Sequence, residues 1–159
     1  MEACIEINGW QANIRFSSSH VIPEYEKCGR LHGHTYAVHA KIWGETDDSG
    51  IVVDFSTVKN ILKEIAKELD HRLIIPNKHN TVKIVEHNES IELENNGKKY
   101  VFPKEDCVLL PLYSTSAENL AGYILDKVIE KLPKKRVREI EIGVDEGLGQ
   151  GARVRRKLR

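Results

Sequence analysis

The feature that most constrains this chain is a strict two-residue period over residues 34–43, with Tyr36, Val38, Ala40 and Ile42 on one face. Side chains of a strand alternate between faces, so this pattern specifies a strand with one face buried and the other wet. Residues 4–16 carry the same period: Ala12, Ile14 and Phe16 share one parity, and Gln11, Asn13 and Arg15 share the other. We expect a half-buried strand there. Residues 17–31 have no period and contain Pro23 and Gly29, which predicts a loop. Ile51-Val52-Val53 predicts a further short strand after the turn-rich residues 44–50.

Two segments switch to the helical period. From Asp54 to Leu69, the residues Val58, Ile61, Leu62, Ile65, Ala66 and Leu69 form an apolar stripe, with Asp54 or Ser56 able to cap its start. From Ser116 to Leu132 the stripe is Leu120, Ala121, Ile124, Leu125, Val128 and Ile129, and Pro133 stops it. Thr115-Ser116-Ala117-Glu118 has capping-box form, with Thr115 as N-cap and Glu118 three residues on. Between the helices, Thr81–Glu86, Ser90–Glu94 and Lys98–Phe102 read as short strands, the last two joined through Asn95-Asn96-Gly97. Val137–Val144 and Ala152–Leu158 make a closing hairpin around a glycine-rich turn. That turn has neither a P-loop lysine nor a Rossmann context. The order β-β-α, insertion at about 77–106, α-β-β predicts a single α+β domain over 1–159 with an antiparallel sheet.

The chain has 159 residues, 24 basic and 24 acidic, so the net charge is zero. That balance argues against a dedicated nucleic-acid binder, which carries a basic surplus. No apolar run approaches the ~18 residues of a membrane-spanning helix, and the first six residues lack the pattern of a secretory signal. Three cysteines without a pairing pattern suit a reducing compartment, so we expect a cytoplasmic protein. The unusual number is seven histidines.

His20, His32 and His34 carry the strongest chemical signal. His32 and His34 share the parity of Tyr36 and Val38, and His20 shares the parity of Ile14 and Phe16 if the strand reaches that far. All three imidazoles would then project from the apolar side of adjacent strands. Buried imidazoles without partners are costly, and three that converge are best explained by a metal. Three histidines with an open fourth position form a catalytic zinc arrangement. Cys28, four residues before His32, is either a base or nucleophile favoured as thiolate or a fourth ligand.

Asp70-His71 ends the first helix. It is either a carboxylate–imidazole relay or a polar helix end facing the dipole. Glu146 continues the inward parity of Ile140, Ile142 and Val144, which suits a carboxylate held for a ligand rich in hydrogen-bond donors, unless the strand has already turned at Asp145. His39 has outward parity and reads as surface; His79 and His87 have no visible partners; Cys4 and Cys107 read as small buried hydrophobes. Arg153, Arg155, Arg156, Lys157 and Arg159 read as a charged terminal strand that discourages edge pairing, or as a polyphosphate or cross-subunit contact.

Taken together, Phe16-Ser17-Ser18-Ser19-His20, Cys28-x3-His32-Gly33-His34, Asp70-His71, Ser116-Ala117-Glu118-Asn119-Leu120-Ala121 and Val144-Asp145-Glu146 resemble the 6-pyruvoyl-tetrahydropterin synthase family over nearly the whole chain. The Cys-x3-His-Gly-His spacing is similar to its 6-carboxy-tetrahydropterin synthase branch. The resemblance implies a tunnelling fold, a four-stranded antiparallel sheet with two helices on one face. It implies homo-oligomers, commonly hexamers, with active sites at subunit interfaces. It implies zinc on His20, His32 and His34, Cys28 as proton-abstracting base, Asp70 and His71 as its relay partners, and Glu146 as both anchor of the pterin edge and a catalytic member of that relay, with Ser116 and Glu118 also binding substrate. The implied substrate is 7,8-dihydroneopterin triphosphate. In the carboxy branch the products are 6-carboxy-5,6,7,8-tetrahydropterin, acetaldehyde and triphosphate, on the way to queuosine or archaeosine. Some relatives use a glutamate near or in place of the cysteine, but no acid lies between Cys28 and His32 here. The competing readings are a pyruvoyl-forming or dihydroneopterin-cleaving variant and, outside enzymes, a zinc-stabilised assembly module.

Overall fold

A computed structural model describes residues 1–158; Arg159, the last of the basic residues named above, lies outside them. The organising strand is β3 (His32–Glu45), whose 14 residues span the sheet. One edge of β3 is covered end to end by two short strands. Strand β1 (Glu2–Ile7) pairs with its far half, Glu2 opposite Glu45 and Ile7 opposite Ala40. Strand β2 (Arg15–His20) pairs with its near half, Arg15 opposite Ala37 and His20 opposite His32. The continuous strand expected over 4–16 is therefore two strands in line. They are separated by a turn in which Asn8 Oδ1 accepts from the N–H groups of Trp10 and Gln11. The alternation survives because Ile14 O still accepts from Val38 N across the gap. Strand β2 also runs into the segment expected to be loop and reaches His20, so the loop covers only 21–31.

Helix α1 (Phe55–Leu69) is capped by Asp54, whose carboxylate accepts from Thr57 N at 2.9 Å, and buries the six residues of the expected stripe. Helix α2 (Ala117–Lys131) starts one residue later than the capping-box reading. Ser116 is the N-cap and accepts from Asn119 N at 3.3 Å. Thr115 is completely buried instead. Residues 51–53 form no strand.

Two strands were not legible as alternation. Strand β4 (Arg72–Pro76) pairs in parallel with β2, and β8 (Cys107–Leu110) pairs in parallel with β4. Both faces of β4 are covered: Ile74 joins the main core under the helices, while Leu73 and Ile75 join a second core with Val82, Ile91, Leu93 and Cys107. A strand covered on both sides reads as a plain apolar run.

Parallel neighbours need a long crossover, and the insertion supplies it. It holds β5 (Lys83–Glu86), β6 (Ser90–Asn95) and β7 (Lys98–Pro103), a separate antiparallel sheet. Asn96 and Gly97 form its two-residue turn, with φ of 50° and 74°, the left-handed pair that such a hairpin demands.

Strands β9 (Val137–Glu146) and β10 (Gly151–Lys157) close the main sheet in the order β10-β9-β3-β2-β4-β8. Its first four members are the expected four-stranded antiparallel sheet, and the parallel strands extend it. Both helices pack on the face bearing Phe16, Tyr36, Val38 and Ile142. The arginines of β10 lie along the sheet edge against acids: Arg155 with Glu141 at 3.0 Å and over the Trp43 ring at 4.7 Å, Arg156 with Asp126. Cys4 is exposed on β1 rather than buried, and Cys107 is buried as expected.

Candidate active site

His20 and His32 are direct cross-strand partners, and His34 lies two residues further along β3. Direct partners and i, i+2 neighbours share a face, so the three rings emerge together at one end of the helix-covered side. Ring centroids lie 4.6, 5.2 and 5.0 Å apart. One ring nitrogen from each falls within 4.8 Å of the others. His20 is 1% exposed and the other two are half-buried.

The back nitrogens are already committed. His20 Nδ1 lies 3.1 Å from the Thr115 carbonyl, and His32 Nδ1 lies 2.7 Å from the Arg30 carbonyl. A carbonyl only accepts, so each Nδ1 carries the proton and each Nε2 presents a lone pair. Those two Nε2 atoms face each other at 3.0 Å. His34 Nε2 is buried without a hydrogen-bond partner among the described residues. Burial pushes the His20 pKa down to about 4, reinforced by the charges of its two neighbours, and burial also lowers that of His34 against the pull of Glu146. Neutral imidazoles with converging lone pairs fit a divalent cation.

Glu146 is the last residue of β9 and sits opposite Tyr36. The strand has not turned at Asp145, so the Glu146 side chain stays on the histidine face, 3.7 Å from His34 Nε2. Together with Cys28, Ser116 and Glu118 it lines a cavity of about 330 Å³. Four residues singled out from the sequence thus meet in one place. The shift of the α2 cap explains part of this: Glu118 is not the third residue of a capping box but an exposed side chain of the first turn, free to face the cavity.

Asp70 and His71 do touch, with Asp70 Oδ2 2.8 Å from His71 Nδ1. Asp70 Oδ1 accepts from Ser17 N at 2.8 Å, and the His71 N–H donates to Ser17 O at 2.7 Å. These bonds hold His71 at φ 57°, a region that costs a β-carbon-bearing residue energy. Burial opposes ionisation of Asp70, but the Ser17 N–H and His71 outweigh it and keep the carboxyl below its usual range. The imidazole is 82% exposed. His71 lines a different cavity, of about 670 Å³, with Arg72, Thr35 and His34. Within one chain, Cys28 and the Asp70–His71 pair therefore line separate cavities, and His34 stands between them.

Two residues were missed. The Thr115 carbonyl and hydroxyl both lie 3.1 Å from His20 Nδ1, and Tyr36 Oη lies 3.3 Å from it. The sequence marks Thr115 only as a helix cap, a position that Ser116 takes instead. Tyr36 could have been found, because a tyrosine at a core position needs a partner for its hydroxyl. Three histidines also differ from expectation. His39 is half-buried on the opposite face, hydrogen-bonded to Asp145 at 2.8 Å and to Gly9 N at 3.1 Å. His79 pairs with Glu24 at 2.7 Å, and His87 with Glu92 at 3.3 Å.

The family described as 6-pyruvoyl tetrahydropterin synthase matches residues 10–157. A Methanocaldococcus jannaschii protein, provisionally named 6-carboxy-5,6,7,8-tetrahydropterin synthase, is 40% identical over 97% of each chain. The 6-carboxy-5,6,7,8-tetrahydropterin synthase of Aquifex aeolicus is 30% identical over 82% of this chain and 73% of its own. Among solved structures, the 6-pyruvoyl tetrahydropterin synthase of Plasmodium falciparum superposes with a TM-score of 0.90 at 30% identity, covering 99% of both chains. A Plasmodium vivax 6-pyruvoyltetrahydropterin synthase with a catalytic glutamate replaced by alanine gives 0.91 at 29% identity, with the same coverage. With a family match over nearly its full length and a relative at this identity, the chain belongs to the 6-pyruvoyl tetrahydropterin synthase family.

Proposed function

We propose that this single-domain chain is a zinc-dependent 6-carboxy-5,6,7,8-tetrahydropterin synthase, taking 7,8-dihydroneopterin triphosphate and water and releasing acetaldehyde and triphosphate. The observation that carries the reading is the meeting of Cys28, Ser116, Glu118 and Glu146 around one cavity beside three converging histidines. The names of the sequence relatives in Methanocaldococcus and Aquifex support the carboxy product. The product would feed a deazapurine route toward queuosine or archaeosine, in the cytoplasm.

His20, His32 and His34 would hold the zinc, which supplies Lewis acidity toward the side-chain hydroxyls of the substrate. Glu146, with no strong partner of its own, accepts from the ring N–H groups of the pterin and orients it. Ser116 and Glu118 border the same ring at the start of α2. Cys28 takes a proton as general base. Asp70 fixes the tautomer of His71, which passes protons as a relay. Because that pair lines another cavity in its own chain, it serves the Cys28 of a neighbouring copy. Active sites thus form at interfaces of a homo-oligomer, for which a hexamer is the expected size.

A pyruvoyl-forming activity is the second reading, favoured by the close superposition on the Plasmodium enzymes. Against it, the P. vivax protein uses a catalytic glutamate, whereas no acid separates Cys28 from His32 here. Product analysis after incubation with dihydroneopterin triphosphate decides between them. Acetaldehyde and the carboxypterin are expected; a pyruvoyl product without acetaldehyde would overturn the reading.

A further inference from the structure

The insertion touches the loop that carries Cys28. Residues 21–31 connect β2 to β3 and carry Cys28. The loop has some order of its own: Ile22 N donates to Cys28 O at 2.7 Å, and Gly29 N to Tyr25 O at 2.8 Å. Tyr25 N also donates to Ile22 O and Arg30 N to Lys27 O, both at 3.2 Å, but all four bonds are internal to the loop and leave it free to move as a unit. Further bonds come from the insertion, more than sixty residues away in sequence for its hairpin. Asn95 Nδ2 donates to Gly29 O at 3.0 Å, Asn96 Nδ2 donates to Pro23 O at 3.2 Å, and His79 Nε2 donates to Glu24 Oε1 at 2.7 Å.

The details of each partner favour a built contact. On β6 the inward positions are Ile91, Leu93 and then Asn95, which is 1% exposed. An amide at the end of an apolar series is costly unless it bonds something. Its oxygen has no hydrogen-bond partner among the described residues, so the contact to the loop is what the amide makes there. Asn96 takes the left-handed turn position that also aims its side chain at Pro23. On the loop side, a β-carbon on Gly29 would collide with the Tyr25 carbonyl and come within 3.1 Å of Asn96 Nδ2. Glycine there lets the hairpin tip and the loop close on each other. His79 is fixed from behind, its Nδ1 accepting from Thr81 N at 3.1 Å, so the proton is on Nε2 and points to Glu24.

The geometry points to Asn95, Asn96 and His79 as positioning residues: the insertion is a brace that holds the Cys28 loop in its reactive conformation through Gly29, Pro23 and Glu24. This rests on the reading of Cys28 as the base. The brace lowers the entropy lost when Cys28 meets substrate, so its removal acts on the chemical step more than on binding.

The test compares Asn96→Gly, Asn95→Ala and His79→Gln with the unaltered zinc-loaded oligomer. Asn96→Gly preserves the left-handed turn while deleting the amide, so it keeps the measurement possible if Asn95→Ala misfolds. Hydrogen exchange of the 22–30 amides should accelerate about tenfold or more while β3 and β9 stay protected. Turnover should fall about tenfold with KM within twofold and zinc content unchanged. Unchanged exchange in 22–30 would show that no brace exists. Faster exchange with unchanged kcat would show that it does not position the reaction. A Cys28→Ala enzyme with full turnover would instead remove the reading of Cys28, an outcome the exchange measurement distinguishes because it needs no substrate.

Discussion

Asp145 and Glu146 are consecutive acids on β9, yet they face opposite sides of one sheet and live in opposite conditions. Asp145 points away from the helices. Its carboxylate is 13% exposed and receives Trp10 Nε1 at 2.9 Å, Arg153 Nη1 at 2.8 Å and His39 Nε2 at 2.8 Å. Burial opposes its ionisation, but these three donors together prevail and hold its pKa below the usual value. Glu146 points toward the histidine cluster, where it has His34 at 3.7 Å and a cavity in front of it. A saturated carboxylate is structure, because its hydrogen-bonding capacity is spent at home. An unsaturated one beside a cavity has capacity left for a ligand. The same contrast separates the histidines: His39 is bonded at both nitrogens, while the three clustered rings each keep one free toward a shared centre.

Breaking the clustered side should have the largest effect. His32→Ala removes one of three converging lone pairs, so zinc content measured on the purified protein should collapse and turnover fall to background. Retention of a stoichiometric metal would show that the three rings are not its ligands. Next, Glu146→Gln should raise KM for the pterin by about a hundredfold or lower kcat comparably, through the loss of a charge-assisted acceptor, while the melting temperature stays within a few degrees. Thr115→Val keeps the carbonyl behind His20 but deletes the hydroxyl, so zinc affinity measured by competition with a chelator should weaken by about tenfold.

The outward side should respond in the opposite currency. Asp145→Ala strands three donors and should cost about 2 kcal/mol of stability with KM and zinc unaltered, as read by denaturant unfolding. Its pH dependence has a definite sign. The folded pKa of Asp145 is depressed, so its contribution is complete above the unfolded value of about 3.9 and disappears as pH falls through the folded value. The stability gap between the two proteins should therefore be constant near neutrality and close in acid. A gap that persists there, or a large change in KM, would break the distinction between the two neighbouring acids.

The elements differ in how openly they were written. Helices α1 and α2 each bury one stripe against one sheet face, so their period was visible; the buried residues matched throughout α1 and in α2 except at Ile129, which is only partly buried. Glu146 was legible in parity but ambiguous in reach, because alternation does not say where a strand ends. Strands β4 and β8 were hidden, since coverage on both faces erases the polar positions that make a strand recognisable. The brace between Asn95 and Gly29 was hidden for another reason: it joins residues 66 apart, and an asparagine next to Asn96-Gly97 reads from the sequence as part of the hairpin connection although it ends β6.

Local periodicity alone therefore determined the α+β layering, the helix-covered face and the shared parity of His32 and His34 with the core, because side-chain direction is a short-range property of the backbone. Tertiary structure decided which residues meet. It paired His20 with His32 across two strands, turned the Thr115 carbonyl onto His20, and gathered Cys28, Ser116, Glu118 and Glu146 around one cavity while leaving Asp70 and His71 on another. Those juxtapositions depend on strand register and on where loops cross, which are set by packing of the whole sheet rather than by any local run of residues.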